Sequence, residues 1–151
     1  MNRIVVGVDG SEHSLGALRF ALAEARLRGS KVVAVHVPHL PLAPVVGAPA
    51  FVIGDLPELV QSVEESAAVI IDDALARVAS EAEGVEVEKV VARGGVAHEL
   101  LKAAEGAEML VLGSRGRGGF MGLLLGSVSH QCAHHAPCPV VIVPGPREGH
   151  R

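Results

Sequence analysis

Four short apolar runs and one run that alternates apolar with polar, all but one rich in valine, are separated along this chain by segments whose apolar residues recur at helical spacing. That rhythm leaves few folds open. A strand that is apolar on both faces must be covered on both, and a strand–helix–strand repeat does this with a parallel sheet flanked by crossover helices. The runs fall at residues 4–8, 31–37, 85–92, 109–112 and 139–143. Between them, Leu15, Leu18, Leu22 and Ala25 mark a helix over 12–28, with Ser11 as its N-cap and Gly29 as its C-terminal stop. Leu59, Val63, Ala67, Ile70, Ala74 and Val78 stripe a long helix over 57–82, with Asp55 and Glu58 spaced as a capping box. Shorter helices are expected over 96–105 and 127–136, the latter stopped by Pro137. Residues 38–57 hold five of the nine prolines, show neither period, and read as a long loop.

The fold class is α/β: one doubly wound, five-stranded parallel sheet. In such sheets ligands bind beyond the carboxyl ends of the strands, where the strand order reverses. The two most suggestive loops, Asp9–Gly10–Ser11 and the glycine-rich stretch over 113–126, follow strands one and four. A site shared between them requires those strands to be neighbours, which an order of 3-2-1-4-5 provides. Residues 1–145 are expected to form the domain and 146–151 a polar tail. At 151 residues and 49% hydrophobic content, such a chain can bury a full core without staples.

A net charge of -4 argues against nucleic acid, which selects broad basic surfaces, and the absence of Trp and Tyr removes stacking platforms. The longest uncharged apolar run, over 40–53, is too short for a membrane span and is interrupted by prolines. Two cysteines cannot form a disulfide framework, and the N-terminus lacks the apolar core of a signal peptide, so a cytoplasmic location is expected. Cys132, His134, His135 and Cys138 are possible zinc ligands, but their helical directions differ and Pro137 intervenes, so four ligands are not expected to converge.

The glycine-rich stretch contains six of the eighteen glycines. Lying between a strand and a helix start, it can aim backbone N–H groups at an anion, and absent Cβ atoms at Gly113, Gly116 and Gly126 would admit phosphate oxygens. Ser127 and Ser129 can add hydroxyls, and Arg115 and Arg117 positive charge. The bland alternative is a loop that uses glycine only for tight turns. No Gly-Lys-Ser/Thr occurs, so this is not a P-loop, and Met121 stands where the dinucleotide fingerprint needs glycine.

Gly113, two residues, Gly116, nine residues, then Gly126–Ser127 resembles the ATP-binding signature of the universal stress protein family. Residues 6–11 (Val-Gly-Val-Asp-Gly-Ser) resemble that family's opening, 34–37 the end of its second strand, and 135–143 its closing segment. The resemblance runs in order over nearly the whole chain. It implies an adenine nucleotide α-hydrolase-like fold that binds ATP, with Mg or Mn as an accompanying ion. Adenine would lie against the backbone at Val37, Asp9 would hold the ribose hydroxyls, and Gly7 would let the nucleotide approach the first strand. Gly113, Arg115, Gly116, Gly118, Gly126, Ser127, Val128 and Ser129 would surround the phosphates. Asp9 could instead act as a helix cap in competition with Ser11.

The resemblance further implies a homodimer formed through the last strand and a stress-response role exerted on a client protein. Ser11, Ser114, Ser127 and Ser129 have no assignable His–Asp partners and no base or lysine clamp is evident, so at most slow ATP hydrolysis is expected. A slow ATPase and a dimeric scaffold that binds no nucleotide are the alternatives.

Overall fold

The structure, a computed structural model, describes residues 2–39, 56–116 and 125–146. Residues 40–55 of the expected 38–57 loop, with the cap at Asp55, lie outside the described residues, as do Arg117, Gly118 and the end of the tail, while Leu56 and Pro57 already belong to a helix. The elements follow as β1 (Arg3–Gly7), α1 (Glu12–Arg28), β2 (Lys31–His36), α2 (Leu56–Arg77), α3 (Ala79–Ala82), β3 (Val87–Val91), α4 (Val96–Ala103), β4 (Met109–Gly113), α5 (Ser127–His135) and β5 (Val140–Val143).

The five strands form one parallel sheet in the order β3-β2-β1-β4-β5. Successive strand residues point to opposite faces, so each inner strand feeds two cores. Ile4, Val6, Val32, Ala34 and Val111 pack with Leu15, Leu18 and Leu22 of α1 and Ile71 and Ala74 of α2. Val5, Val33, Val35, Leu110 and Leu112 pack on the other face with Leu100 of α4 and Cys132 of α5. The sheet is therefore wound on both faces, and β1 and β4 are adjacent, which puts the reversal of strand order between them.

Local chemistry sets the ends of α1. Ser11 accepts the Ser14 N–H through its hydroxyl at 3.1 Å, and Gly29 closes the helix at φ 67, a conformation that costs glycine little. The expected 57–82 helix is broken in two. At Val78, which is fully buried, an N–H bond to the carbonyl of Leu75 (3.2 Å) tightens the turn, and φ -117, ψ 25 leaves helical geometry. Arg26 of α1 holds the short α3 segment by donating to the carbonyls of Glu81 (2.9 Å) and Glu83 (2.6 Å). The third strand is also shorter than expected, because the Val85 N–H bonds to Ala82 in a turn rather than to a neighbouring strand. No described helix is long and apolar enough to cross a membrane.

Candidate functional site

A cleft of about 780 Å³ opens at the carboxyl ends of β1, β2 and β4. Gly7, Asp9, Val37, Gly113, Arg115, Gly116, Gly126, Ser127, Val128 and Ser129, all singled out in the sequence, line it together. Gly118 lies outside the described residues. The chain order gave no hint that α2 would form the opposite wall with Ser62, Val63, Ser66, Ala67 and Ile70. Val63, Ala67 and Ile70 had the spacing of a core stripe, and the serines between them were indistinguishable from solvated positions.

The first loop is organised by Asp9. Gly10 takes φ 83, which turns the chain so that the Ser11 N–H donates to Asp9 Oδ1 at 2.9 Å. The Asp9 N–H donates to the Ser14 hydroxyl (3.2 Å), which itself donates to the Ser11 carbonyl (3.1 Å). Ser11 is thus the helix cap, and one Asp9 oxygen supports it from the turn before. The other oxygen, Oδ2, faces Gly116, where a Cβ would stand only 2.6 Å from it. The carboxylate therefore spans the two loops that follow β1 and β4.

The second loop is closed at its base. The Gly126 N–H donates to the Ser114 carbonyl at 2.7 Å, and the Ser129 hydroxyl lies 3.0 Å from that carbonyl and 3.1 Å from the Gly126 carbonyl. A hydroxyl has one proton to give, and both neighbours are acceptors. Ser129, 3% exposed, consequently spends its proton on holding the loop rather than offering it to a ligand. Ser127 is exposed at the first position of α5, which has no side-chain cap. The first-turn N–H groups of α5 and the helix dipole face an uncapped end, an arrangement that favours anions.

The glycines divide by what a side chain would strike. At Gly113 a Cβ would lie 2.7 Å from the backbone carbon of His13 and 2.8 Å from its carbonyl oxygen. At Gly7 it would lie 2.8 Å from Leu112. In both places the space released by the missing Cβ is filled by the protein, not left to a ligand. Gly126 would meet nothing closer than 3.5 Å.

Val37 lies one residue beyond β2, and neither its N–H nor its carbonyl has a main-chain partner among the described residues. Beside it the buried His36 ring bonds through Nδ1 to the Val8 carbonyl at 2.6 Å. That carbonyl can only accept, so Nδ1 carries the proton. The charged side chains among the described lining residues are Asp9 and Arg115. No three His, Cys, Asp or Glu among the described residues gather to hold a metal. Cys132 is buried on the inner side of α5, and burial pushes its thiol up to about 11, far from the thiolate a nucleophile needs.

Comparison with known proteins gives this geometry its relatives. The model of the family described as "Universal stress protein family" matches residues 1–144. Universal stress protein YxiE of Bacillus subtilis is 33% identical over 150 residues, covering 94% of this chain and 98% of that protein. A universal stress protein of Mycolicibacterium smegmatis is 36% identical over 143 residues, 93% of this chain but only 45% of that longer protein. The chain thus spans less than half the length of that relative. Among solved structures, a universal stress protein in complex with cAMP matches with a TM-score of 0.67 at 25% identity, covering 96% of this chain and 98% of its own. One from Archaeoglobus fulgidus in complex with dAMP matches with a TM-score of 0.63 at 26% identity, covering 95% and 98%.

Proposed function

The chain belongs to the universal stress protein family, and on that premise we propose that its cleft binds an adenine nucleotide, ATP in its full form, as the switch of a cytoplasmic stress-response module. The observation that carries the reading is the convergence, in one cleft, of three different recognition chemistries. Val37 offers an N–H and a carbonyl for the edge of a base, Asp9 a carboxylate for the ribose hydroxyls, and the start of α5 a set of N–H donors for phosphate. Relatives solved with cAMP and dAMP support adenine as the base.

In this arrangement the N–H groups of Ser127, Val128 and Ser129 and the Ser127 hydroxyl hold phosphate oxygens, and Arg115 balances their charge. Gly116 keeps Asp9 in place by leaving room for Oδ2, while Gly126 and Ser129 close the loop. Gly7 and Gly113 act through packing, and Gly118 belongs to the phosphate loop. A Mg or Mn ion would ride on the phosphates with water completing its shell, as hard cations at nucleotide sites commonly do. Among the described residues the cleft has no carboxylate besides Asp9 and no lysine. ATP turnover is accordingly expected far below the ~1–100 s⁻¹ of kinases.

We read residues 1–145 as the binding domain and 146–151 as a tail. The edge strand β5 is apolar and partly exposed along its whole length. Antiparallel pairing with its twin across a two-fold axis would cover that edge and make a homodimer, whose output is contact with a client protein. Denaturing the purified protein and identifying any released small molecule by mass spectrometry tests the reading. An adenine nucleotide supports it; a different class of bound ligand overturns it.

A further inference from the structure

We propose that His36 is a positioning residue for the base-binding edge of the cleft: its imidazole stands on the Val8 carbonyl in place of the Val37 N–H, which is left directed at a ligand. The inference rests on the nucleotide-binding reading for its ligand, but its structural half stands alone. In a parallel ladder the N–H of residue i bonds the carbonyl of j−1, and the N–H of j+1 returns to the carbonyl of i. The β1–β2 register pairs Gly7 with Val35, and the Val8 N–H still bonds the Val35 carbonyl at 2.8 Å. The next rung is therefore Val37 N–H to Val8 C=O. That rung is missing among the described residues, and the Val8 carbonyl instead accepts from His36 Nδ1 at 2.6 Å.

The substitution is local: His36 and Val37 are 8% and 7% exposed, and both line the cleft. On the opposite side, the His36 carbonyl accepts the Ala92 N–H at 3.0 Å, so β2 remains tied to the chain leaving β3 while it is released from β1. The ladder is cut on one side only, the side that faces β1 and the cleft. A donor and an acceptor separated by one residue's backbone, neither with a main-chain partner among the described residues, match the hydrogen-bonding edge of a purine with an exocyclic amine, and the amine would discriminate adenine from hypoxanthine.

Amide hydrogen exchange on the ligand-free full chain tests the structural half. The Val37 amide is expected to exchange at least tenfold faster than that of Val35 inside β2. His36→Leu should slow Val37 at least tenfold as the rung forms, while His36→Asn, whose amide nitrogen can replace Nδ1, should keep it fast. Titration with AMP and inosine monophosphate tests the functional half: His36→Leu should reduce the preference for AMP at least tenfold, with ribose 5-phosphate affinity unchanged within twofold and His36→Asn restoring the preference. A Val37 amide as protected as Val35 in the wild type overturns the proposal even if His36→Leu fails to fold. An unchanged AMP preference in a folded His36→Leu overturns it as well. Wild-type protein that binds neither nucleotide defeats the binding reading instead, and is told apart by the exchange result.

Discussion

Replacing Gly113 with alanine should destabilise the fold itself, whatever the ligand. The new Cβ would sit 2.7 Å from the His13 backbone carbon and 2.8 Å from both its oxygen and its Cβ. Carbon atoms rest at about 3.5–4.0 Å, so α1 and the end of β4 would have to part by most of an ångström. Two of the three atoms struck are backbone atoms in the first turn of α1, which is held by the Ser11 cap and by buried Ser14 and Leu15, so no side-chain rotation relieves the contact. Overpacking of this kind costs about 1–3 kcal/mol. In a domain of this length that is a loss of roughly 2–12 °C in Tm. Gly126→Ala provides the control: its nearest neighbours lie at 3.5–3.7 Å and its φ of -71 suits any residue, so Tm should stay within about 2 °C. Thermal unfolding followed by circular dichroism compares the three proteins. A Gly113→Ala variant as stable as the wild type would refute the claim that helix approach, rather than phosphate approach, requires this glycine.

Other consequences are equally accessible. Asp9→Ala should weaken ribonucleotides more than their 2′,3′-dideoxy counterparts by over tenfold, since a hydrogen bond to a charged group is worth about 1.5–3 kcal/mol; equal losses would reduce Asp9 to a support for the Ser11 cap. Val141→Asp, placing a charge in the apolar edge strand, should convert dimer to monomer in light scattering, and a wild type already monomeric at micromolar concentration would dispose of the dimer. Cys132 should resist iodoacetamide at pH 8 in the native protein, since a thiol raised to about 11 by burial is only about one part in a thousand thiolate there. Because its folded value lies above the ordinary 9.0, its contribution to stability is complete below pH 9 and is lost as pH rises toward 11. Labelling of Cys132 at the rate of a free thiol would contradict its burial.

Much of this architecture is legible in the sequence because it depends on periodicity and local chemistry. Ser11 and Gly29 end α1 through their own hydroxyl and backbone freedom, and the both-faces apolar runs require a covered parallel sheet. Even the adjacency of β1 and β4 follows from two loops needing one site. What escapes is whatever depends on tertiary geometry. The kink at Val78 arises from a buried valine and an arginine 52 positions earlier in the chain, Arg26. Ser62 and Ser66 face the cleft only because α2 folds back across it. The glycines carry the clearest lesson: the spacing of Gly113, Gly116 and Gly126 marks the loop, yet only the structure shows that one accommodates a helix, one a carboxylate, and one no close neighbour at all. His36 reads as an isolated histidine until the register of β1 against β2 reveals which carbonyl it occupies.

Calorimetric titration of the nucleotide-stripped wild-type protein with ATP, AMP and guanosine triphosphate tests the central claim most directly. The account predicts saturable binding of ATP and AMP at one site per chain, tighter for ATP because the start of α5 engages the added phosphates, and at least tenfold weaker binding of the guanine nucleotide. Heats indistinguishable from dilution at millimolar adenine nucleotide, or equal affinity for the guanine nucleotide, would contradict it.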